Sequence, residues 1–320
     1  MGGANTLVRI PVGSSLARPG SSRRPGSTPA LLLAGLLMLS PRPALAVPEP
    51  PPPNTQPDPL VWSPRWARAG LPNYVLTGAA ATLSLVFAIT PPIRAQPSTR
   101  LGFDESARAS LRLQEIEERY IVRDASDVTL SLLVTYPFFV DALIAAQWYR
   151  ASPEVAFEMA VIDAEALAIT AAIQGVTNTL AARERPFGRD CGGALPGDLN
   201  DCVSSMRYRS FFSGHSSLAF TSAALVCSHH LRLDLFGGGA VELATCGVAM
   251  GTAAATALFR VMADQHYLSD VLTGAAVGTI VGFLVPALHY GFADGTSFGN
   301  QGLQLRLLPT SNGLSVVGSF

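Results

Sequence analysis

Three short clusters in the second half of this 320-residue chain combine histidine, arginine, serine and carboxylate at spacings suited to handling a phosphate. Arg260 is followed by Asp264, His266 and Asp270. His266 and Asp270 stand four residues apart, so on a helix they share one face. A carboxylate there can take the proton of one imidazole nitrogen and leave the other as a nucleophile. Taken alone, such a pair is more often structural. The second cluster, Ser213-Gly214-His215, reads as a helix start, where free N–H groups and the helix dipole favour an anion. Gly214 lets the backbone approach closely, and His215 can protonate a leaving oxygen. The plain alternative for Ser213 is an ordinary N-cap. The third cluster, Arg183-Glu184-Arg185-Pro186, offers guanidiniums for forked, charge-assisted bonds to phosphate oxygens. Single arginines at membrane helix ends are commonly interfacial anchors instead.

The clusters sit at the ends of apolar segments, and those segments must bring them together. Six stretches are long and apolar enough for a membrane or buried helix, at about 74–90, 128–148, 155–182, 213–231, 241–262 and 268–290. The fold class expected is all-α, a six-helix membrane-associated bundle. The third helix ends, the fourth begins, the fifth ends and the sixth begins at the three clusters, so alternating direction gathers them on one face. Residues 103–124 read as a charged surface helix, and Pro137 as a kink in the second span. Glu158, Asp163 and Glu165 on the third helix are expensive against lipid and should face other helices or water. His229, His230 and His289 belong to none of the clusters and read as partners of helix ends or interfaces. Residues 304–308 and 314–320 alternate like strands around a Pro-Thr-Ser-Asn-Gly turn, which predicts a short C-terminal hairpin.

Composition agrees with a membrane setting. Hydrophobic residues make up 48% of the chain and charged ones only 14%, against about 25% charged in ordinary soluble domains. A net charge of −1 gives no electrostatic reason to expect a nucleic acid partner. Arginines ahead of Leu31–Leu39, then Pro41 and Ala44-Leu45-Ala46, read as an export signal over 1–46. A proline-rich linker is expected over 47–70, the helical domain over 71–295 and a tail over 296–320. In an exported protein the loop cysteines Cys191 and Cys202 are candidates for a disulfide. Cys227 and Cys246 fall in apolar helical stretches. Neither pair has metal-site spacing with histidine, and no cofactor is expected.

Taken together, the clusters resemble the three-part signature of the type 2 phosphatidic acid phosphatases, Lys-x6-Arg-Pro, Pro-Ser-Gly-His and Ser-Arg-x5-His-x3-Asp. The third part is matched by Arg260, His266 and Asp270, with Phe259 in the serine position. The second is matched by Ser213-Gly214-His215, with Phe212 in place of proline. The first is matched by Arg185-Pro186, while its lysine position holds Asn178. The resemblance covers about residues 155–290. It implies that His266 attacks phosphorus, that Asp270 orients it and that His215 serves the departing alcohol and then water. It also implies that Arg185, Arg260 and the amides at Ser213 and Gly214 hold the phosphoryl oxygens without a metal. Losing the lysine would remove a charged hydrogen bond worth about 1.5–3 kcal/mol, and Arg183 stands near enough in sequence to compensate. The implied substrate is a phosphomonoester or diphosphate, most naturally of a lipid, handled in a bacterial cell envelope with the site facing the periplasm. Two other readings follow from the same resemblance: a vanadium-dependent haloperoxidase, or a degenerate lipid-binding member marked by Asn178.

Overall fold

The computed structural model describes residues 57–93, 101–191, 202 and 204–291, together with the backbone of 304–310 and 313–319. The expected signal peptide and the first part of the linker lie outside the described residues. Among the described residues, six long helices form the body: α1 (Leu71–Ile89), α3 (Ile116–Tyr136), α4 (Pro153–Ala181), α5 (Gly214–Arg232), α6 (Ala240–Met262) and α7 (Leu268–Tyr290). A short helix, α2 (Gly102–Leu111), precedes α3. The described helices thus make an all-helical domain, as the apolar spacing predicted. The C-terminal hairpin pairs β1 (Gln304–Thr310) with β2 (Gly313–Ser319) antiparallel, Gln304 opposite Ser319.

One expectation is corrected in the second span. The charged stretch from residue 103 is not one surface helix. It breaks after Leu111, and Ile116 starts a rod that passes through Pro137 into a π-helical continuation ending at Tyr149. The wider π turn accommodates the proline, which cannot supply an N–H. Asp127 therefore lies well inside a helix instead of at its start.

Among the described residues, four helices are long and apolar enough to cross a membrane: Leu71–Ile89, Ile116–Tyr149, Ala240–Met262 and Leu268–Tyr290. They carry exposed Val75, Leu85, Leu132, Phe139, Val248, Leu272, Ile280 and Leu288, an apolar exterior that suits lipid more than water. Helix α5 has the opposite character. From Ser216 to His230 nearly every residue is buried, including Ser216, Ser217, Thr221 and Ser222, so it is the central post.

The fit of α7 against α5 depends on glycine. A Cβ at Gly274 would come 2.6 Å from the Ser213 carbonyl oxygen, at Gly278 2.1 Å from that of Ser217, and at Gly282 2.6 Å from that of Thr221. The glycines recur every four residues, one face of the helix, and let two backbones meet directly. That contact sets the N-terminus of α5 beside the N-terminus of α7.

At the other end of α5, histidines pin the bundle through acids. His229 lies 2.8 Å from Asp163 of α4 and 2.7 Å from the Tyr290 hydroxyl of α7. His230 sits between Glu242 of α6 and Asp141, 3.2 Å away in the π-helical segment. His289 meets Glu165 at 3.0 Å. Asp163 and Glu165 of α4 thus meet histidines inside the bundle, which lowers the cost of placing acids on an apolar helix. From residue 57 the chain of the expected linker packs on this same end. Trp62 is buried against Trp66 and Tyr290, and the Ala67 amide donates to the His289 carbonyl at 2.7 Å.

Two disulfides are present. Cys191–Cys202 closes the loop between α4 and α5, and Cys227–Cys246 joins α5 to α6. The second was not foreseen, because partners on different helices carry no spacing signal.

Candidate active site

The three clusters converge where α4 ends, α5 begins, α6 ends and α7 begins. Backbone bonds hold the loops together. The Arg185 amide donates to Arg207 O at 2.8 Å, Phe187 N to Asp264 O at 3.2 Å, Ser210 N to Arg183 O at 3.0 Å and Ser213 N to Asp270 O at 3.1 Å. Helix α2 braces this end. Arg108 grips the Asp264 carboxylate through two bonds of 2.7 Å, and Arg112 reaches both Asp264 and Asp190.

His266 is buried in the turn before α7. Its Nδ1 lies 2.9 Å from the Ser210 carbonyl oxygen and 3.8 Å from Asp270 Oδ2. A carbonyl can only accept, so Nδ1 carries the proton and Nε2 keeps its lone pair. The direct hydrogen bond expected between His266 and Asp270 is therefore not the one formed. Asp270 instead accepts from the Ser210 hydroxyl at 2.5 Å, from the Tyr267 amide at 2.9 Å and from Arg183 at 2.6 Å. It fixes the residue that fixes the histidine. Burial, then the nearby guanidiniums of Arg185 and Arg260 and the imidazole of His215, hold the His266 pKa well below the usual histidine range. The ring is neutral, as a nucleophile requires.

His215 occupies the first turn of α5. Its Nε2 lies 2.6 Å from Asp127 Oδ1, an oxygen that also receives Arg260 Nη1 at 3.3 Å. Burial and the positive charge of Arg260 lower its pKa to about 4, with Asp127 pulling the other way and Arg185 adding to the fall. Ser213 is the N-cap of α5. Its Oγ accepts from Ser216 N at 3.3 Å and its own amide is taken by Asp270 O. Helix geometry then leaves the Gly214 and His215 amides without intrahelical acceptors at this end.

The arginines have distinct settings. Arg185 donates to Gln265 at 2.7 Å and to the Arg209 carbonyl at 3.2 Å. Arg260 reaches Ser126 and Asp127 from α6. Arg183 is bound between the carboxylates of Asp104, at 2.9 Å, and Asp270, and lies over the ring of Tyr267. Asn178 is buried and donates from Nδ2 to the Phe212 carbonyl at 2.9 Å, while its Oδ1 has no partner among the described residues. Two departures from the signature, asparagine for lysine and phenylalanine for proline, thus touch each other.

Residues 160–293 match the family model of the PAP2 superfamily. No curated protein and no solved structure matches the chain significantly. The matched segment spans every cluster residue, from Asn178 and Arg183 to Asp270. It excludes α2 and α3, which bring Asp104, Ser126 and Asp127 into contact with the matched residues. Sequence reasoning missed these three, along with Ser210 and Gln265. A carboxylate inside an apolar rod was the available signal for Asp127. Ser210 contributes its carbonyl to His266, and backbone leaves no mark on composition.

Proposed function

We propose that the protein is a phosphohistidine phosphatase of a lipid phosphomonoester or diphosphate, embedded in the cell envelope through its apolar helices. The observation that carries this reading is His266, a buried neutral imidazole whose Nδ1 proton is committed to the Ser210 carbonyl, leaving Nε2 free of a proton among two arginines. In the proposed reaction, Nε2 attacks phosphorus while the bond to the alcohol oxygen breaks. His215 gives its proton to that oxygen. Water then attacks the phosphohistidine, His215 takes a proton from it, and inorganic phosphate leaves. Arg185, Arg260 and the Gly214 and His215 amides oppose the charge on the equatorial oxygens, where preorganised donors are worth most. Asp270 and Arg183 act through Ser210 and Tyr267, as positioning groups. Asn178 secures the Phe212 carbonyl just ahead of the anion-binding turn.

A lipid substrate is supported by the exposed apolar helices that flank the site. The disulfide at the site end, Cys191–Cys202, agrees with an oxidising, extracytoplasmic face. The test is phosphate release in EDTA by purified protein, beside His266→Ala, from phosphatidate, a polyprenyl diphosphate and p-nitrophenyl phosphate. Turnover is expected in the wild type, with a loss of at least about a thousandfold in the variant, the scale on which catalytic histidines act. Folded wild type that releases no phosphate from any ester would return the degenerate reading.

A further inference from the structure

We propose that Asp127 is the positioning residue of His215: it holds the Nε2 proton, so that Nδ1 is the nitrogen that gives a proton to the leaving oxygen and later accepts one from water. The inference rests on the phosphohistidine reading and adds to it a residue outside the matched family segment. Asp127 reaches the site from α3, with its side chain half exposed. Its Oδ1 is 2.6 Å from His215 Nε2, while Nδ1 of that ring bonds to no protein group among the described residues.

A carboxylate accepts only, so Nε2 carries a proton whether the ring is neutral or charged. In the charged ring the second proton sits on Nδ1. As the bond between phosphorus and the alcohol oxygen breaks and the His266 Nε2–phosphorus bond forms, this Nδ1 proton goes to the oxygen. His215 is then neutral with a lone pair on Nδ1. The attacking water returns a proton there as the nitrogen–phosphorus bond breaks, which restores the charged ring and balances the cycle. The two site histidines are thus used in opposite senses. His266 has Nδ1 tied to a carbonyl and works through Nε2, whereas His215 has Nε2 tied to a carboxylate and works through Nδ1.

Charge makes the pairing necessary. His215 faces Arg260 from α6, Arg185 from the loop after α4 and His266 from the turn before α7, and among the described residues it is Asp127 from α3 that lowers the cost of protonating it. Without that carboxylate the acid form would be scarcer still. Asp127 also touches Arg260 at 3.3 Å, so a variant must be read in a way that separates the two contacts.

The experiment compares Asp127→Asn and Asp127→Glu with wild type in detergent, on an alkyl phosphate and on p-nitrophenyl phosphate. It includes a titration of nitrogen-15-labelled histidine with the His215 resonance assigned by His215→Ala. The alkyl ester needs its leaving oxygen protonated, and the nitrophenolate does not. Asp127→Asn is expected to lose about tenfold or more in kcat on the alkyl ester but only about two- to threefold on the aryl ester. The His215 midpoint should fall by about one unit or more, and Asp127→Glu should recover part of both. Equal losses on the two esters, confined to KM, would make Asp127 an anchor of Arg260 and overturn the proposal. So would an unmoved His215 midpoint, which is read without turnover. Absence of phosphate release by wild type would instead sink the hydrolase reading.

Discussion

Each site histidine has one nitrogen spoken for, and the partner decides what the other can do. Burial and the surrounding positive charge keep the His266 ring neutral, and the carbonyl at Nδ1 decides that Nε2 holds the lone pair. His215 must carry a proton to act as an acid, yet burial and Arg260 bring its pKa down to about 4. The sign follows directly. The acid form is full below that value and falls about tenfold for each pH unit above it. For an alkyl phosphate, kcat/KM should therefore decline with unit slope from acid toward neutral pH, once the ester's own ionisation is corrected. p-Nitrophenyl phosphate should show a much flatter profile, and His215→Ala should remove the slope for the alkyl ester. A pH–rate series on both esters measures it, because kcat/KM reports the free enzyme. A rate rising toward neutral pH for the alkyl ester would contradict the assignment of the acid.

At the scale of elements, the site depends on how closely α7 can approach α5. The glycine face at Gly274, Gly278 and Gly282 brings Asp270 to Ser213 and Ser210, and with them the turn that carries His266. Gly278→Ala places a Cβ 2.1 Å from the Ser217 carbonyl oxygen, and neither backbone can move away without disturbing the pins at the far end. The expected cost is about 1–3 kcal/mol or more of stability, together with reduced activity as α7 shifts. Gly247→Ala on α6 is the matched control, since nothing lies within 4 Å of the added carbon and alanine is the better helix former. Thermal unfolding in detergent of the two variants should separate them. Equal melting temperatures would mean the helices have slack that the close contacts do not suggest.

For the whole molecule, the far end of α5 and the site end share one rigid post, about 20 Å apart by helical rise from His215 to His229. The acid-bound histidines and the packed Trp62 segment hold one end, and α2 and the Cys191–Cys202 bridge hold the other. Breaking that bridge with Cys191→Ser should cost about 2–3 kcal/mol, the loop-closure entropy of a loop with a sequence separation of 11. Peptide mapping under non-reducing conditions should recover both cross-links, and protein made in a reducing compartment should melt lower. Recovery of free thiols at all four cysteines from an oxidising compartment would remove the oxidised loop from this picture.

What the chain by itself determined was the set of six long helices and the chemistry at their ends. Apolar length and helical spacing survive translation into structure because burial rewards them locally. The residues of the three clusters were legible for the same reason, since each cluster is contiguous. The tertiary structure decided which partners those residues take. The Nδ1 proton of His266 goes to a backbone carbonyl, and backbone groups look the same at every position of a sequence. Asp127 and Asp104 come from helices far away along the chain, and only packing brings a carboxylate to His215 or a second anion to Arg183. The Cys227–Cys246 bridge and the acid-bound histidines have the same origin. Their pairing is fixed by which helix faces are neighbours, and that order is set by three-dimensional contact between segments that carry no mutual spacing.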